Sequence, residues 1–278
     1  MNIVQASAQV ITETHPLKKI ELCGRVCYKS EERITPVSAY NFVAKLIINK
    51  HTSVLEHARV KLTDPVLLET LDKALEETGE REDYEAAREL AAVMSRTDDL
   101  PEGFAMNVRD LARLFSDLSL AEIAKMENAD NYLTVRFICD RGIANELVRH
   151  RVFSFSQEST RYVNYADGVT FVLPEPYIHP VTFKANYHLW KAACANAENA
   201  YKVLLESGVA PQEARNVLPL STKTELIMTG TYAQWKQLIK LRTAAGAHPQ
   251  MRLLMNRLLE AEGFPKELIP APQGDFTI

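Results

Sequence analysis

Glycine is scarce in this chain, 10 in 278 residues, and no GxGxxG run occurs. A dinucleotide held on a Rossmann glycine turn is therefore excluded. Cys23, Cys27, Cys139 and Cys194 form no CxxC pair and have no histidine at zinc spacing. Reduced thiols in a cytoplasmic protein are the expectation, with no zinc module. No run of about 18 apolar residues exists, so no membrane span is expected. The opening MNIVQASAQV has neither a basic segment nor a long apolar core, so export is not expected. A basic excess is missing too: 32 Lys and Arg stand against 36 Asp and Glu, for a net charge of −4. That balance argues against a polynucleotide ligand. What the chain does have is a hydrophobic content of 46%, enough for a full core in one large domain or two small ones.

Periodicity gives a mixed order of elements. Residues 2–11 read as a strand. His15-Pro16 opens a helix through Tyr28 that buries Leu17, Ile20, Cys23, Val26 and Cys27. Thr35-Pro36 starts a second helix to about Ile48, with Val37, Tyr40, Val43, Ala44 and Ile47 inward. Ala58–Thr63 is strand-like. Residues 64–130 are helical in pattern and rich in charge: Pro65–Thr78, Arg81–Ser95, Met106–Phe115 and Leu120–Asn128, the last with a Ser119–Glu122 capping box. Leu133, Val135, Phe137 and Cys139 alternate with Tyr132, Thr134, Arg136 and Ile138, the clearest strand in the chain. Asp140-Arg-Gly142 turns into a short helix, Ile143–Arg149. A strand at Val169–Leu173 precedes a long helix, Val181–Glu206, striped by Leu189, Ala193, Ala197, Ala200, Tyr201 and Leu204 and stopped at Gly208. Its alanines suit a subunit interface as well as a core. A short helix from Pro211 and a strand over Thr222–Thr229 come next. A Thr231–Gln234 capping box then opens a helix through Arg242 that buries Trp235, Leu238 and Ile239. The last helix starts at Pro249, packs through Met251, Leu254, Met255, Leu258 and Leu259, and ends before Gly263.

Chemistry concentrates between Glu146 and Arg161. Arg149, His150, Arg151 and Arg161 are interleaved with Ser154, Ser156, Ser159 and Thr160, while Phe153 and Phe155 supply apolar anchors. Guanidinium forks and hydroxyls together match phosphate or carboxylate. Arginines this close in sequence also commonly pair with neighbouring acids, and Glu146 and Glu158 are at hand. His51-Thr-Ser-Val-Leu-Glu-His57 places two histidines near a glutamate, but HxxxxEH is not the HExxH helix spacing and no metal is expected there. Arg242, at the end of its helix, is by itself a residue that the helix dipole favours.

As a string the central segment is RHRxxSxxxxSxR, six specified positions in thirteen, and in this the chain resembles the flavin-dependent thymidylate synthases. Further matches run from about His51 to His248, interrupted by 64–130. The resemblance implies an α/β (mixed α+β) fold, an antiparallel-rich sheet with flanking helices, in a single domain over 1–278. The 64–130 stretch is then an insertion: a peripheral helical cap, or a lid or subunit contact. It also implies reductive methylation of dUMP to dTMP without a cysteine nucleophile. FAD is the cofactor, NADPH and 5,10-methylenetetrahydrofolate are co-substrates, and active sites are shared within a homotetramer.

Residue by residue, the resemblance assigns the substrate to Glu146, Arg149, Gln157, Glu158, Ser159, Thr160, Arg161, Arg215 and Arg242. Arg215 lies in Ala-Arg-Asn-Val-Leu-Pro, close to the family's Ala-Arg-x-x-Leu-Pro. The flavin falls to Ser53, Arg149, His150, Arg151, Gln157, Thr231, Tyr232, Ala233 and Gln237. Catalysis falls to Arg242, as the residue polarising the uracil ring, and to His51. Glu146, Gln157 and Gln237 depart from the family's frequent glutamine, glutamate and asparagine. Ser159 suits a phosphate donor better than a nucleophile. The competing readings are a phosphate- or nucleic-acid-binding module built on the loop 149–161, and a flavoprotein that methylates another uridine.

Overall fold

The computed structural model describes residues 1–62, 104–114 and 119–270. They fall into two units: Met1–Thr12, Arg25–Ser30 and Leu133–Ile278 in the first, Glu13–Gly24 and Glu31–Tyr132 in the second.

In the first unit, the N-terminal residues expected as one strand form two. β1 (Asn2–Val4) runs parallel to β7 (Thr170–Val172), and β2 (Ser7–Val10) runs antiparallel to β5 (Tyr132–Asp140). The chain changes partner at Gln5-Ala6. With β6 (Ser154–Gln157) and β8 (Lys223–Thr231) these build a four-stranded sheet in the order β2-β5-β8-β6. β6 and β8 are antiparallel, Ser154 opposite Thr229. Thr134 and Thr229 hydroxyls, 2.9 Å apart, tie β5 to β8. The alternation of β5 is as expected: Leu133, Val135, Phe137 and Cys139 all enter one core.

That core is closed by α5 (Arg141–Leu147), α8 (Tyr232–Thr243) and α9 (Pro249–Leu259). β5 passes into α5 without an intervening turn, because Asp140 caps the helix by accepting Ile143 N–H at 2.8 Å, a contact worth about 1 kcal/mol. The helix ends at Leu147, so Arg149 stands in the following turn rather than on the helix. α8 opens with the expected capping box: Thr231 Oγ1 accepts Gln234 N–H at 3.1 Å and Gln234 Oε1 accepts Thr231 N–H at 2.7 Å. Trp235, one turn on, is fully buried and donates its indole N–H to Leu133 O at 2.9 Å. The ring of Phe153 meets Trp235 edge-on, centroids 5.0 Å apart. Burying such a side chain stabilises by roughly 1.5–3 kcal/mol, more than an exposed ion pair at about 0–1. Phe153 therefore fixes the basic turn to the core.

The long helix, α6 (Lys184–Glu206), precedes the short α7 (Pro211–Ala214) and ends before Gly208 at φ +85°. Its buried face is rotated from the expected stripe. Cys194, Glu198 and Tyr201 are inside, whereas Leu189 is 76% exposed. Polar tethers set this rotation: Glu198 accepts Val169 N–H at 3.0 Å, and Trp190 donates to Ser221 Oγ at 2.9 Å.

Opposite the core face, β5 and β8 carry a buried ionic group. Glu225 accepts hydrogen bonds from Lys29 at 2.6 Å, Lys223 at 2.7 Å and Arg136 Nε at 2.7 Å. Burial alone would raise the Glu225 carboxyl, but these hydrogen bonds, led by Lys223 and Lys29, outweigh it and hold the group at about 2.

The second unit contains most of α1 (Pro16–Val26), then α2 (Ser38–Ile48), a 3-10 turn over Thr52–His57, β3 (Arg59–Leu62) antiparallel to β4 (Phe104–Asn107), α3 (Val108–Leu114) and α4 (Leu120–Ile123). α2 buries Ala39, Val43 and Leu46, an i, i+4, i+7 face, while Val37 and Tyr40 are 81% and 51% exposed, against expectation. The cause is local. Ser38 Oγ accepts Thr35 N–H and donates to Glu21, both at 2.8 Å, so the helix starts two residues later than Pro36 and turns its face accordingly. The helix expected at Met106–Phe115 is preceded by a strand, because Asn107 Oδ1 accepts Asp110 N–H at 2.9 Å and starts α3 only there. The Ser119–Glu122 capping box is present, yet α4 stops at Ile123 and Asn128 bridges to Val60. The helices expected at Pro65–Thr78 and Arg81–Ser95 lie outside the described residues.

A Cβ at Gly230 would lie 2.5 Å from two carbons of the Phe153 ring and 2.8 Å from Gln234 Oε1. Gly230→Ala should thus destabilise by about 1–3 kcal/mol through overpacking, read from denaturant unfolding. For Glu225 the folded value of about 2 lies below the ordinary 4.5. Its contribution is complete above the ordinary value and lost as pH falls towards 2, on the order of 3 kcal/mol. Glu225→Gln should lower stability near neutral pH and flatten the acid limb of a stability–pH curve. An acid limb as steep as that of the parent protein would contradict this.

Candidate active site

Two groups of expected site residues form at opposite ends of β6. At its N-terminal end the turn after α5 delivers His150 to Arg242, which projects from the last turn of α8. Arg242 Nε donates to His150 Nε2 at 2.9 Å, Nη1 to Glu146 Oε2 at 3.0 Å, and Nη2 to Glu146 O at 3.3 Å. The imidazole is held below the usual histidine range, first by burial and then by the adjacent Arg242 charge, against the opposing pull of Glu146. A neutral ring is what an accepting Nε2 requires. A guanidinium carries five N–H groups, and three are engaged here. One on each terminal nitrogen is left for a ligand.

At the far end of β6, Thr160 Oγ1 accepts from Arg215 Nη1 at 2.9 Å, and Arg161 N–H donates to Ser159 Oγ at 3.3 Å. Arg161 is exposed, its guanidinium 5.4 Å from the Tyr162 ring, which in turn lies 5.3 Å from Tyr28. Thr160 is 4% exposed and Ser159 half-buried. The segment expected as one anion-rich loop is therefore interrupted by a strand. The four residues of β6, roughly 13 Å of extended chain, lie between His150 and Ser159.

Glu158 is engaged within the chain. It is 2% exposed, and its oxygens accept from Tyr165 Oη at 2.8 Å and Lys223 Nζ at 2.9 Å. Gln157 donates to Thr224 Oγ1 at 3.2 Å. Arg149 and Arg151 are exposed, and among the described residues neither guanidinium has a carboxylate partner. Thr231 serves the cap of α8, Tyr232 is half-buried beside it, and Ala233 and Gln237 are exposed on the same helix. His51 and Ser53 belong to the second unit, where both are exposed at the 3-10 turn.

A cleft of about 510 Å³ opens beside the Arg242 group, lined by Asp140, Gly142, Glu146, Arg149, His248 and Gln250 among others. That size suits a small-molecule site. Burial raises the Asp140 carboxyl, which accepts from Ile143 N–H and Gln250. Three of the four thiols point away from nucleophilic chemistry: burial pushes Cys27 and Cys139 up and takes Cys194 up to about 11, the reverse of an activated thiolate. Among the described residues no group of three or more His, Cys, Asp and Glu is placed to hold a metal, and no described helix is long and apolar enough to cross a membrane. Lys223, Glu225, Tyr165, His248 and Gln250 are site neighbours that the sequence reading passed over. Only Lys223 and Glu225 carried a signal, as two opposite charges at i, i+2 on one face of a strand.

The model for the thymidylate synthase complementing protein family matches residues 126–266. The flavin-dependent thymidylate synthase of Geobacter sulfurreducens is 31% identical over 183 residues, covering 64% of this chain and 76% of that protein. The protein of the same name from Pyrococcus abyssi is 30% identical over 135 residues, 48% of this chain; the match spans about half of that relative's length, 54%. Among solved structures, the UMP/dUMP methylase PolB of Streptomyces cacaoi bound with 5-Br dUMP aligns over 94% of this chain and 91% of its own at 17% identity and a TM-score of 0.46. With its arginine-rich turn and Arg242 in contact, and half of its length under the family model, this chain belongs to the thymidylate synthase complementing protein family.

Proposed function

We propose that the chain is a flavin-dependent thymidylate synthase, methylating dUMP to dTMP with 5,10-methylenetetrahydrofolate as carbon donor and NADPH as the source of reducing equivalents. The observation that carries this is the seating of Arg242. A guanidinium fixed by His150 and Glu146 and keeping two outward N–H groups is suited to the edge of a pyrimidine. Methyl transfer to carbon 5 requires an electron-rich ring. Arg242 stabilises the negative charge that develops as N3 ionises or O4 becomes enolate-like. Glu146 and neutral His150 hold it in place, so little rearrangement is needed as charge builds.

The phosphate is assigned to Ser159, Thr160, Arg161 and Arg215, a set of hydroxyl and guanidinium donors that suits an oxyanion. Arg149 and Arg151, exposed and without carboxylate partners among the described residues, fit the anionic part of FAD, with Gln157, Thr231, Tyr232, Ala233 and Gln237 as its further neighbours. When bound, the flavin supplies the redox chemistry. The raised thiols favour a route without a cysteine nucleophile. Ser53 and His51 keep the flavin-binding and catalytic roles that the resemblance assigns them. The separation of the two groups by β6 supports active sites shared between subunits of a homotetramer. The protein is assigned to the cytoplasm, as one domain including the 64–130 insertion.

Purified protein should be yellow and should oxidise NADPH only when dUMP is present. A colourless protein that shifts labelled RNA would favour the phosphate- or nucleic-acid-binding alternative. Arg242→Ala should abolish turnover with flavin still bound, and full activity in that variant would refute its role. Arg161→Ala removes a charge-assisted hydrogen bond worth about 1.5–3 kcal/mol, so the KM for dUMP should rise about 10- to 100-fold with the folate KM little changed.

A further inference from the structure

The segment carrying Ser159, Thr160 and Arg161 leaves the edge strand β6 and would be free to pivot were it not pinned from behind. Its backbone is fastened at two points: Glu158 N–H donates to Glu225 O at 2.8 Å, and Ser159 N–H to Cys27 O at 3.1 Å. Its side chains are fastened through Glu158, whose two oxygens are taken by Tyr165 and Lys223. Lys223 Nζ then reaches Glu225 Oε1 at 2.7 Å. The ammonium thus bridges two carboxylates that are 1% and 5% exposed at the side chain, and is itself only 15% exposed. Glu225 is held in turn by Lys29 and Arg136. Without Lys223, buried Glu158 would lose its ammonium partner while Glu225 kept Lys29 and Arg136, and the segment would move to relieve the uncompensated carboxylate.

We propose that Lys223 is a positioning residue for the phosphate end of the site: by bridging Glu158 to Glu225 it fixes Ser159, Thr160 and Arg161 for the nucleotide, with Glu158 acting as support rather than as a ligand. This rests on the assignment of dUMP as substrate. Lys223 acts through the segment and touches no reacting atom, so its loss should weaken nucleotide binding while leaving the Arg242 end intact.

The test measures dUMP binding by calorimetry and steady-state kinetics on the flavin-loaded protein, its Lys223→Met and Lys223→Arg variants, and Tyr165→Phe. Lys223→Met should weaken dUMP binding about tenfold or more, the scale of losing charge-assisted hydrogen bonds. Its flavin content, its KM for NADPH and its kcat at saturating dUMP should stay within about twofold. Lys223→Arg should restore most of the affinity. Tyr165→Phe removes one donor to Glu158 and should weaken dUMP by about threefold, and it covers the case in which Lys223→Met does not fold. Unchanged dUMP affinity in both Lys223→Met and Tyr165→Phe, beside a parent that binds dUMP, overturns the positioning role and leaves the assigned activity standing. Equal losses in flavin, NADPH and dUMP binding that arginine does not rescue mark Lys223 as merely structural and also overturn it. A parent that binds neither dUMP nor inorganic phosphate overturns both.

Discussion

The contact between Arg242 and His150 is the constraint on which the site depends. It joins two elements far apart in sequence, the end of α8 and the turn after α5, and it requires an imidazole without a proton on Nε2. Burial and the Arg242 charge both hold His150 below its usual range, so the arrangement sustains its own protonation state. Each partner is positioned by an apolar anchor. Trp235 locks α8 into the core three residues after the Tyr232 start, and Phe153 packs against the same indole while closing the turn that carries His150. The capping box at Thr231 and the Asp140 cap then set where each helix begins. Arg242 gains further from sitting in the last turn of a helix, where the dipole favours a cation.

The Ser159–Arg161 end is organised by different physics. Glu158 and Glu225, both buried, are surrounded by Lys29, Arg136 and Lys223. Buried ion pairs contribute modestly to stability but hold geometry firmly once every partner is in place. The apolar clamp on the Arg242 group and the ionic clamp behind Ser159–Arg161 are connected by β6, whose Ser154 and Ser156 are buried against β8.

Features that rest on local spacing were legible in the sequence. The alternation from Leu133 to Cys139, the two capping boxes and the stripe of α9 read correctly from neighbours within a few residues, and the arginine motif pointed to the family that the comparisons show. What failed depended on distant partners. Ser154–Gln157 reads as loop because two serines and a glutamine hide its β character, and only pairing with Lys223–Thr231 makes it a strand. The rotation of α6 follows from a buried Glu198 that answers Val169, a polar residue that no hydrophobic stripe anticipates. The start of α2 follows from Ser38 and Glu21, 17 positions apart. The ionic group brings Lys29 to Glu225 across 196 positions, beyond any spacing rule. Glu158, which the motif offers as a substrate contact, is buried and engaged by Tyr165 and Lys223, partners that no local spacing points to.

In the function proposed, guanidinium and hydroxyl donors of this chain hold a pyrimidine nucleotide and a flavin together. Titrating dUMP into the flavin-loaded protein while following the visible absorbance of the oxidised flavin tests it directly. A saturable change in the flavin spectrum is expected, one nucleotide per flavin, that deoxyuridine, which lacks the phosphate, does not reproduce at the same concentration. A flavin spectrum indifferent to saturating dUMP, or a protein that takes up no flavin at all, would contradict it.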